Sequence, residues 1–316
     1  MSEHRARVCV LIATLGEAEL LEASLTEVRR QADALGAEVL LVVNAEEASL
    51  PLARRGVWEG LAHRVLFEPR SGKSHALNTG LGATEAEIVA FGDDDAMPFS
   101  GWLERLTAPL RQGVPGVAGC GGRVVPVYPT GGAPAWYRHL VAGKRSSFLG
   151  PLHDLGPEER DYPGGGNTSV LPFGANCAYL RAALMPEGYD ARLGPSRRTG
   201  LRGGEDTVVA LRVQARGGVL RYVPDAVVHH PVTPERLRPD FVLRGYYLQG
   251  VEAVRFLRIT GRLTRSAGHA ARRLWRHRVR GLLRRAMGSP RAAHHRFRQA
   301  FYRGYLDELA RPLEEA

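Results

Sequence analysis

Phe91-Gly92-Asp93-Asp94-Asp95-Ala96-Met97-Pro98 decides how this chain is read. Three adjacent carboxylates follow Glu87-Ile88-Val89-Ala90-Phe91, an apolar run of the length and kind that forms a buried strand. Like charges crowded at a strand end repel, so they stand either in solvent or around a bound cation. Oxygen ligands in this setting suit a hard divalent ion, Mn or Mg, which in turn holds a phosphate. Alone, the triplet reads as a solvated acidic turn as readily as a metal site. The chain around it decides.

Upstream, Arg7-Val8-Cys9-Val10-Leu11-Ile12-Ala13 is a second continuous apolar run, broken by Thr14-Leu15-Gly16. Leu20, Leu21, Leu25 and Val28 recur at helical spacing, predicting a helix within 17–31. Residues 38–43 form another buried strand ending at Asn44, followed by a helix over 48–61, a short strand near 65–67 and a helix over 72–82. This alternation predicts an α/β fold: an open, mostly parallel sheet flanked by helices. In such sheets ligands bind at the carboxyl ends of the strands. Thr14, Asn44 and the aspartate triplet all fall there and should converge.

Downstream, 102–110 reads as a helix and 116–127 as a glycine-rich strand region. Residues 128–166 are rich in Gly and Pro and read as loops; 170–180 is strand-like. A basic loop, 193–204, carries Arg197, Arg198 and Arg202 and delivers the chain to Glu205-Asp206. That pair opens a helix running to Ala215, where the macrodipole favours negative charge; a plain helix cap is the bland reading. Two short strands, 219–223 and 226–228, lead into His229-His230-Pro231.

With 316 residues and 44% hydrophobic content the chain buries a sizeable core, and no apolar run reaches the roughly 20 residues of a membrane span. The N-terminal segment leads straight into a strand, which predicts no secretory signal. Cys9, Cys120 and Cys177 are few and scattered, arguing for a reducing cytoplasm and against a disulfide frame or zinc site. The net charge of +10 is concentrated late: Arg262 to Arg303 contains 13 Arg and no Asp or Glu. A helix is expected over 234–262. Beyond it, Leu274, Trp275, Val279, Leu282, Leu283 and Ala286 mark one face of a basic amphipathic helix, and Phe297, Phe301, Tyr305, Leu306 and Leu309 mark another. The organisation read from this is a catalytic domain over 1–250 and a basic helical extension over 251–316.

Gly72-Lys73 with Ala76-Leu77-Asn78-Thr79-Gly80, the aspartate triplet, Gly204-Glu205-Asp206 and His230 occur in an order and spacing that resemble the family 2 glycosyltransferases of the GT-A fold. The resemblance runs from about Val8 to Gly250. It implies metal-dependent transfer of a sugar from a nucleotide diphosphate donor to an acceptor hydroxyl, with inversion, in cell-surface glycan, glycolipid or secondary-metabolite biosynthesis. It implies Asp95 and His230 as ligands of a divalent cation (Mn or Mg), with His230 preferred to His229. It implies Asp93 and Asp94 at the donor, and a catalytic base in Glu205-Asp206, Asp206 first. Ala13, Thr14, Glu17 and Asn44 match the family's base-binding segments, with Ala13 replacing a usual proline and Asn44 a usual acid. Lys73 and Asn78 are expected beside the donor, and Arg202, with Arg197 and Arg198, over its diphosphate. The basic tail is expected on the inner, anionic face of the cell membrane or packed against protein, with nucleic acid not expected. The rival readings are a sugar-nucleotide nucleotidyltransferase, which would need a basic phosphate loop where Ala13-Thr14-Leu15-Gly16-Glu17-Ala18 has no Lys or Arg, and a non-catalytic nucleotide or nucleic-acid binder.

Overall fold

A computed structural model describes residues 7–47, 52–144, 146–147, 150–165, 170–263, 267–287 and 292–312. The expected beginning of the second helix at residue 48 lies outside these. The chain divides into two compact units. One holds residues 1–127, 151–191 and 205–231; the other holds 128–150, 192–204 and 232–316.

In the first unit, β1 (Val8–Thr14), β2 (Glu38–Val43), β3 (Arg64–Phe67) and β4 (Ile88–Asp93) lie parallel in the order β3-β2-β1-β4. Helices α1 (Leu21–Leu35), α2 (Leu52–Leu61) and α3 (Lys73–Ala83) make the crossovers between them. Every residue of β1 is buried, as its unbroken apolar run requires of a strand covered on both faces. Leu25 and Val28 of α1 and Leu103 and Leu106 of α4 (Trp102–Arg111) pack with Ile12, Leu41 and Ala90 in one core. Each buried Leu, Ile or Val in this set contributes about 1.5–3 kcal/mol by leaving water.

Beyond β4 the sheet becomes mixed. It continues through β10 (Asn176–Leu180), antiparallel to both β4 and β6 (Val117–Val127), then β11 (Val219–Pro231), parallel to β6, and ends at β5 (Met97–Pro98). Two-residue strands β8 (Leu152–His153) and β9 (Arg160–Asp161) pair with β6 and β11. The expected α/β sheet flanked by helices is therefore present, parallel in its first half. Of the strand-like run 170–180 only the second half pairs. The two short strands expected over 219–228 are one strand whose register shifts between Val223 and Val227. Pro224, without an N–H, sits inside the shift, where it interrupts no ladder bond. The short helix α6 (Arg181–Leu184) follows β10, and α7 (Glu205–Ala215) begins at the acidic pair.

The second unit is helical. The part of 128–166 that falls here, expected as loops, contains α5 (Ala135–Val141), besides the two-residue β7 (Ser146–Ser147). Tyr137 of α5 is fully buried, and Trp136 packs on Phe297 with ring centroids 5.9 Å apart. Flanking Gly and Pro hide the short apolar period of that helix in the sequence. After a 3-10 turn at Pro234–Leu237 come α8 (Pro239–Ile259), α9 (Ala267–Ala286) and α10 (Ala292–Leu309). Helices α8 and α10 meet backbone to backbone. A Cβ on Gly250 would stand 2.0 Å from the Phe301 carbonyl oxygen, and one on Gly304 2.0 Å from that of Tyr247. Only glycine permits this approach. Beside the contact, Arg255 and Glu308 form a buried ion pair at 2.7 Å.

Helix α9 does not use the expected face as a single surface. Ala270 is its buried residue, and Leu274, His277 and Gly281 continue that strip toward α10. Trp275 and Leu282 point the other way and are exposed, while the exposed Leu283 lines a cavity beside Phe297 and Trp136. Leu274 and Trp275 are neighbours in sequence and so cannot share one narrow stripe.

Candidate active site

The triplet closes β4, between β1 and β10 in the middle of the sheet. Its placement follows from register. Asp93 is paired with Ala13 of β1, and Gly92 with Asn176 of β10. Immediately after the triplet, Met97 and Pro98 pair antiparallel with His229 and Val228. This two-residue bridge draws Asp95 toward the end of β11. The alternation of the strand then selects between the histidines. His229 turns to Phe99, 5.9 Å between centroids, whereas His230 is buried and faces the carboxylates.

His230 Nε2 lies 3.3 Å from Asp95 Oδ1 and 3.9 Å from Asp93 Oδ2. One ligand atom from each of these three residues falls within 4.8 Å of the others. His230 Nδ1 is 3.2 Å from the Pro231 carbonyl oxygen. A carbonyl only accepts, so Nδ1 carries a proton, and Nε2 is left to face two carboxylates. Two carboxylate oxygens and an imidazole nitrogen, its other nitrogen oriented by a backbone carbonyl, form a donor set that fits a divalent cation such as Mn.

The other two aspartates have distinct partners. Asp93 is ion-paired with Lys73, the first residue of α3. Burial works to lower the Lys73 pKa, but the charges of Asp93, Glu205 and Asp94 outweigh it and hold the ammonium well above its ordinary value. Asp94 Oδ2 accepts the Thr14 hydroxyl at 2.5 Å. Burial pushes Asp94 up to about 6, against the lowering effect of that hydrogen bond. Thr14 Oγ1 also accepts the Gly16 N–H at 2.8 Å, so one hydroxyl ties the end of β1 to the triplet and shapes the following turn.

Glu205 and Asp206 begin α7, and Glu205 is buried. Asp206 Oδ2 accepts the N–H of Gly174 at 3.1 Å, and Oδ1 that of Thr207 at 2.7 Å. Glu205 Oε2 is buried and has no hydrogen-bond partner among the described residues. Burial raises the pKa of both carboxyls; Asp206's charge adds to the rise at Glu205, and the two backbone N–H groups oppose it at Asp206. Gly174 was not among the site residues expected from sequence. The signal that pointed to it is the family resemblance, which includes Phe173-Gly174-Ala175-Asn176 on the approach to the acidic pair.

Some expected donor contacts have structural work to do. Asn44 Nδ2 donates to the carbonyls of Glu68 and Arg70, at 2.8 and 2.7 Å, and Oδ1 accepts the Gly72 N–H at 2.8 Å. Its amide thereby shapes the turn that launches Lys73. Asn78 exchanges two hydrogen bonds with the backbone of Tyr189, 2.8 and 2.7 Å, like a short piece of strand. Ala13 is buried within β1, and Glu17 is exposed after Gly16. Arg202 belongs to the second unit, where its guanidinium lies 4.1 Å from the Phe241 ring centroid and its N–H is donated to Glu252 at 2.5 Å. Among the first unit's residues, then, the structure brings Lys73, Asp93, Asp94, Asp95, Glu205, Asp206, His230 and Thr14 into one connected group.

Comparison with known proteins gives this arrangement a class. The family model described as glycosyl transferase family 2 matches residues 9–183. The succinoglycan biosynthesis protein ExoM of Rhizobium meliloti (strain 1021) is 30% identical over 247 residues, 75% of this chain and 69% of that protein. The pre-mycofactocin glycosyltransferase of Mycobacterium tuberculosis is 32% identical over 167 residues, 52% of this chain and 32% of that longer protein. Among solved structures, the mannosyltransferase of Pyrobaculum calidifontis in complex with GDP-Man and Mn2+ superposes with a TM-score of 0.55 at 19% identity, over 99% of this chain and 78% of that one. GalNAc-T7 with UDP, GalNAc and Mn2+ gives 0.50 at 17% identity, over 81% and 50%. The protein is a glycosyltransferase of the GT-A fold. It belongs to glycosyl transferase family 2.

Proposed function

We propose that this chain transfers a hexosyl or related sugar from a nucleotide diphosphate donor to an acceptor hydroxyl, with inversion at the anomeric carbon. The observation that carries the proposal is the meeting, around Lys73, of the Asp93–Asp95–His230 group and the buried Glu205–Asp206 pair. One is a site for diphosphate charge, the other a site for a proton.

Asp95 and His230, with Asp93, would hold a divalent cation, Mn or Mg, which would offset the charge developing on the leaving diphosphate. Lys73 adds a fixed positive charge on the same side. Asp93 and Asp94 would contact donor groups, a reading supported by their position where β1 and β4 end together and by the Thr14 hydroxyl on Asp94. Asp206 takes the proton of the acceptor hydroxyl as that oxygen bonds to the anomeric carbon; the bond from that carbon to the diphosphate oxygen breaks on the opposite face. The two N–H groups on Asp206 fix its carboxylate for this role, while the Glu205 oxygen, without a partner among the described residues, is available to orient acceptor or sugar. Free, buried Cys9, Cys120 and Cys177 suit a reducing compartment, and the cytoplasm is the proposed location. The relatives' names, one for succinoglycan biosynthesis and one for a pre-mycofactocin glycosyltransferase, support a glycan or secondary-metabolite acceptor.

The test is a thermal-shift screen of nucleotide diphosphate sugars, GDP-mannose and UDP-sugars first, with Mn or Mg. A donor that binds the native state raises the melting temperature, and about 2.7 kcal/mol is gained at a hundredfold excess over Kd. The shift should require the metal and vanish in Asp95→Ala. A shift of the same size without metal, or in Asp95→Ala, overturns the metal assignment. Release of pyrophosphate from a nucleoside triphosphate would instead favour nucleotidyl transfer.

A further inference from the structure

Helix α9 carries two apolar surfaces on opposite sides, and only one of them is used inside the protein. The inner strip, Ala270, Leu274, His277 and Gly281, follows i, i+4, i+7, i+11 spacing and packs toward α10. His277 Nδ1 lies 3.0 Å from His295 Nδ1, and the Gln299 amide donates to the His277 carbonyl at 3.2 Å. The outer strip, Trp275, Val279, Leu282 and Ala286, repeats the same spacing on the opposite side; Leu283 and Met287 stand at its edge, where they also line a cavity with Trp136, Leu140 and Phe297. Trp275 is 65% exposed, Leu282 70%, Leu283 59% and Met287 67%. These are the most exposed large apolar side chains among the described residues, and they sit together within 13 positions.

The surroundings of this strip state what it meets. Arg276 and Arg280 flank it on one side, Arg278 and Arg285 on the other, and all four are exposed. No Asp or Glu occurs between Arg262 and Arg303 to balance them. A protein partner docking on the strip would have to match a row of arginines along both borders. An anionic bilayer does so over any length, since apolar side chains enter the acyl boundary while arginine stems let the guanidinium groups reach headgroup phosphates. Among the described residues no helix is long and apolar enough to cross a membrane. The arrangement is that of a helix lying in the surface plane.

We propose that the outward face of α9 docks this protein on an anionic lipid bilayer, with Trp275 and Leu282 inserted, Leu283 and Met287 at the edge of the contact, and Arg276, Arg278, Arg280 and Arg285 on the headgroups.

The experiment is flotation of the full chain with vesicles of phosphatidylcholine alone and of phosphatidylcholine with phosphatidylglycerol. The protein should float with the anionic vesicles and stay behind with the neutral ones. Trp275→Ser/Leu282→Ser/Leu283→Ser, which changes exposed positions only, should keep the wild-type melting temperature and lower partitioning on the order of a hundredfold. Arg278→Ser/Arg285→Ser, the second variant, should lower it roughly tenfold or more and flatten its salt dependence. Three results overturn the proposal: no flotation with anionic vesicles at low salt; retention of binding by the triple serine variant, which would mark a purely electrostatic, polyanion-type surface; or a dimer in solution that the triple variant dissociates while lipid binding is absent, which would assign the strip to a second copy of the chain. Each is independent of whether sugar transfer is observed.

Discussion

Asp206 Oδ2 accepts the backbone N–H of Gly174 at 3.1 Å, which fixes one carboxylate of a buried acidic pair, whereas one oxygen of its neighbour Glu205 has no hydrogen-bond partner among the described residues. The asymmetry separates two groups that are adjacent in sequence. A base must hold one geometry to receive a proton, and a general base contributes about 10²–10⁴-fold to rate. Asp206→Asn should therefore reduce turnover by about that factor while donor binding, measured by calorimetry, changes little. Glu205→Gln should act more on the acceptor's KM. Normal turnover in Asp206→Asn would remove it from the base role.

The same pair sets the expected pH profile. Burial raises the pKa of both carboxyls, so in the folded protein the pair holds a proton to higher pH than free carboxyls do. The base must be ionised to act. The acid limb of kcat/KM against pH should thus rise with pH and lie above the ordinary carboxylate range, with apparent pKa values that belong to the pair. In Glu205→Gln the limb should reduce to a single ionisation, that of Asp206, still raised by burial above the ordinary carboxylate range.

Much of this was legible in the sequence because it is local. Buried strands announce themselves as unbroken apolar runs, and three carboxylates after one of them mark a strand end. The choice of His230 over His229 has a cause the sequence carries only indirectly, since it needs the Met97↔His229 pairing between segments more than a hundred residues apart. The backbone hydrogen bonds of Asn44 and Asn78 were not legible, because the partners that an amide finds in a distant segment leave no mark on its own. The face of α9 was misjudged as one surface for a related reason. Two apolar stripes on opposite sides of a helix merge into a single broad pattern until it is known which side packs. The helix at Ala135–Val141 was hidden by the turn residues on either side.

Glu68 provides a stability test outside the chemistry. Its carboxylate accepts two hydrogen bonds from the Arg70 guanidinium, 2.8 and 2.7 Å, with others from Thr79 Oγ1 and the Arg70 N–H. The Arg70 side chain, chiefly, pulls the carboxyl down to about 2. A folded-state value below the unfolded one means stability that is present above the unfolded pKa of about 4.3 and lost as pH falls toward 2. Glu68→Gln should be less stable than the parent at pH 7 by roughly 1–2 kcal/mol in urea unfolding. The gap should narrow as pH drops below about 5. A gap independent of pH would show that packing, not the ionised carboxylate, holds this turn.

The contact between Gly250 and Gly304 fixes how α8 and α10 cross. Each glycine faces a carbonyl oxygen of the opposite helix at a distance no Cβ tolerates, and the obstacle is backbone, which a rotamer change cannot clear. Substituting either residue pushes the helices apart and strips contacts from Tyr246 and Phe297, stacked 5.5 Å apart, and from the Arg255–Glu308 pair. Gly304→Val should cost about 3 kcal/mol or more, the upper end for overpacking in a core. The loss falls on the helical unit. Hydrogen exchange should therefore report earlier opening of α8 and α10, while the amides of β1 and β4 keep their protection. Equal loss of protection in β1 and β4 would show instead that the two units unfold as one.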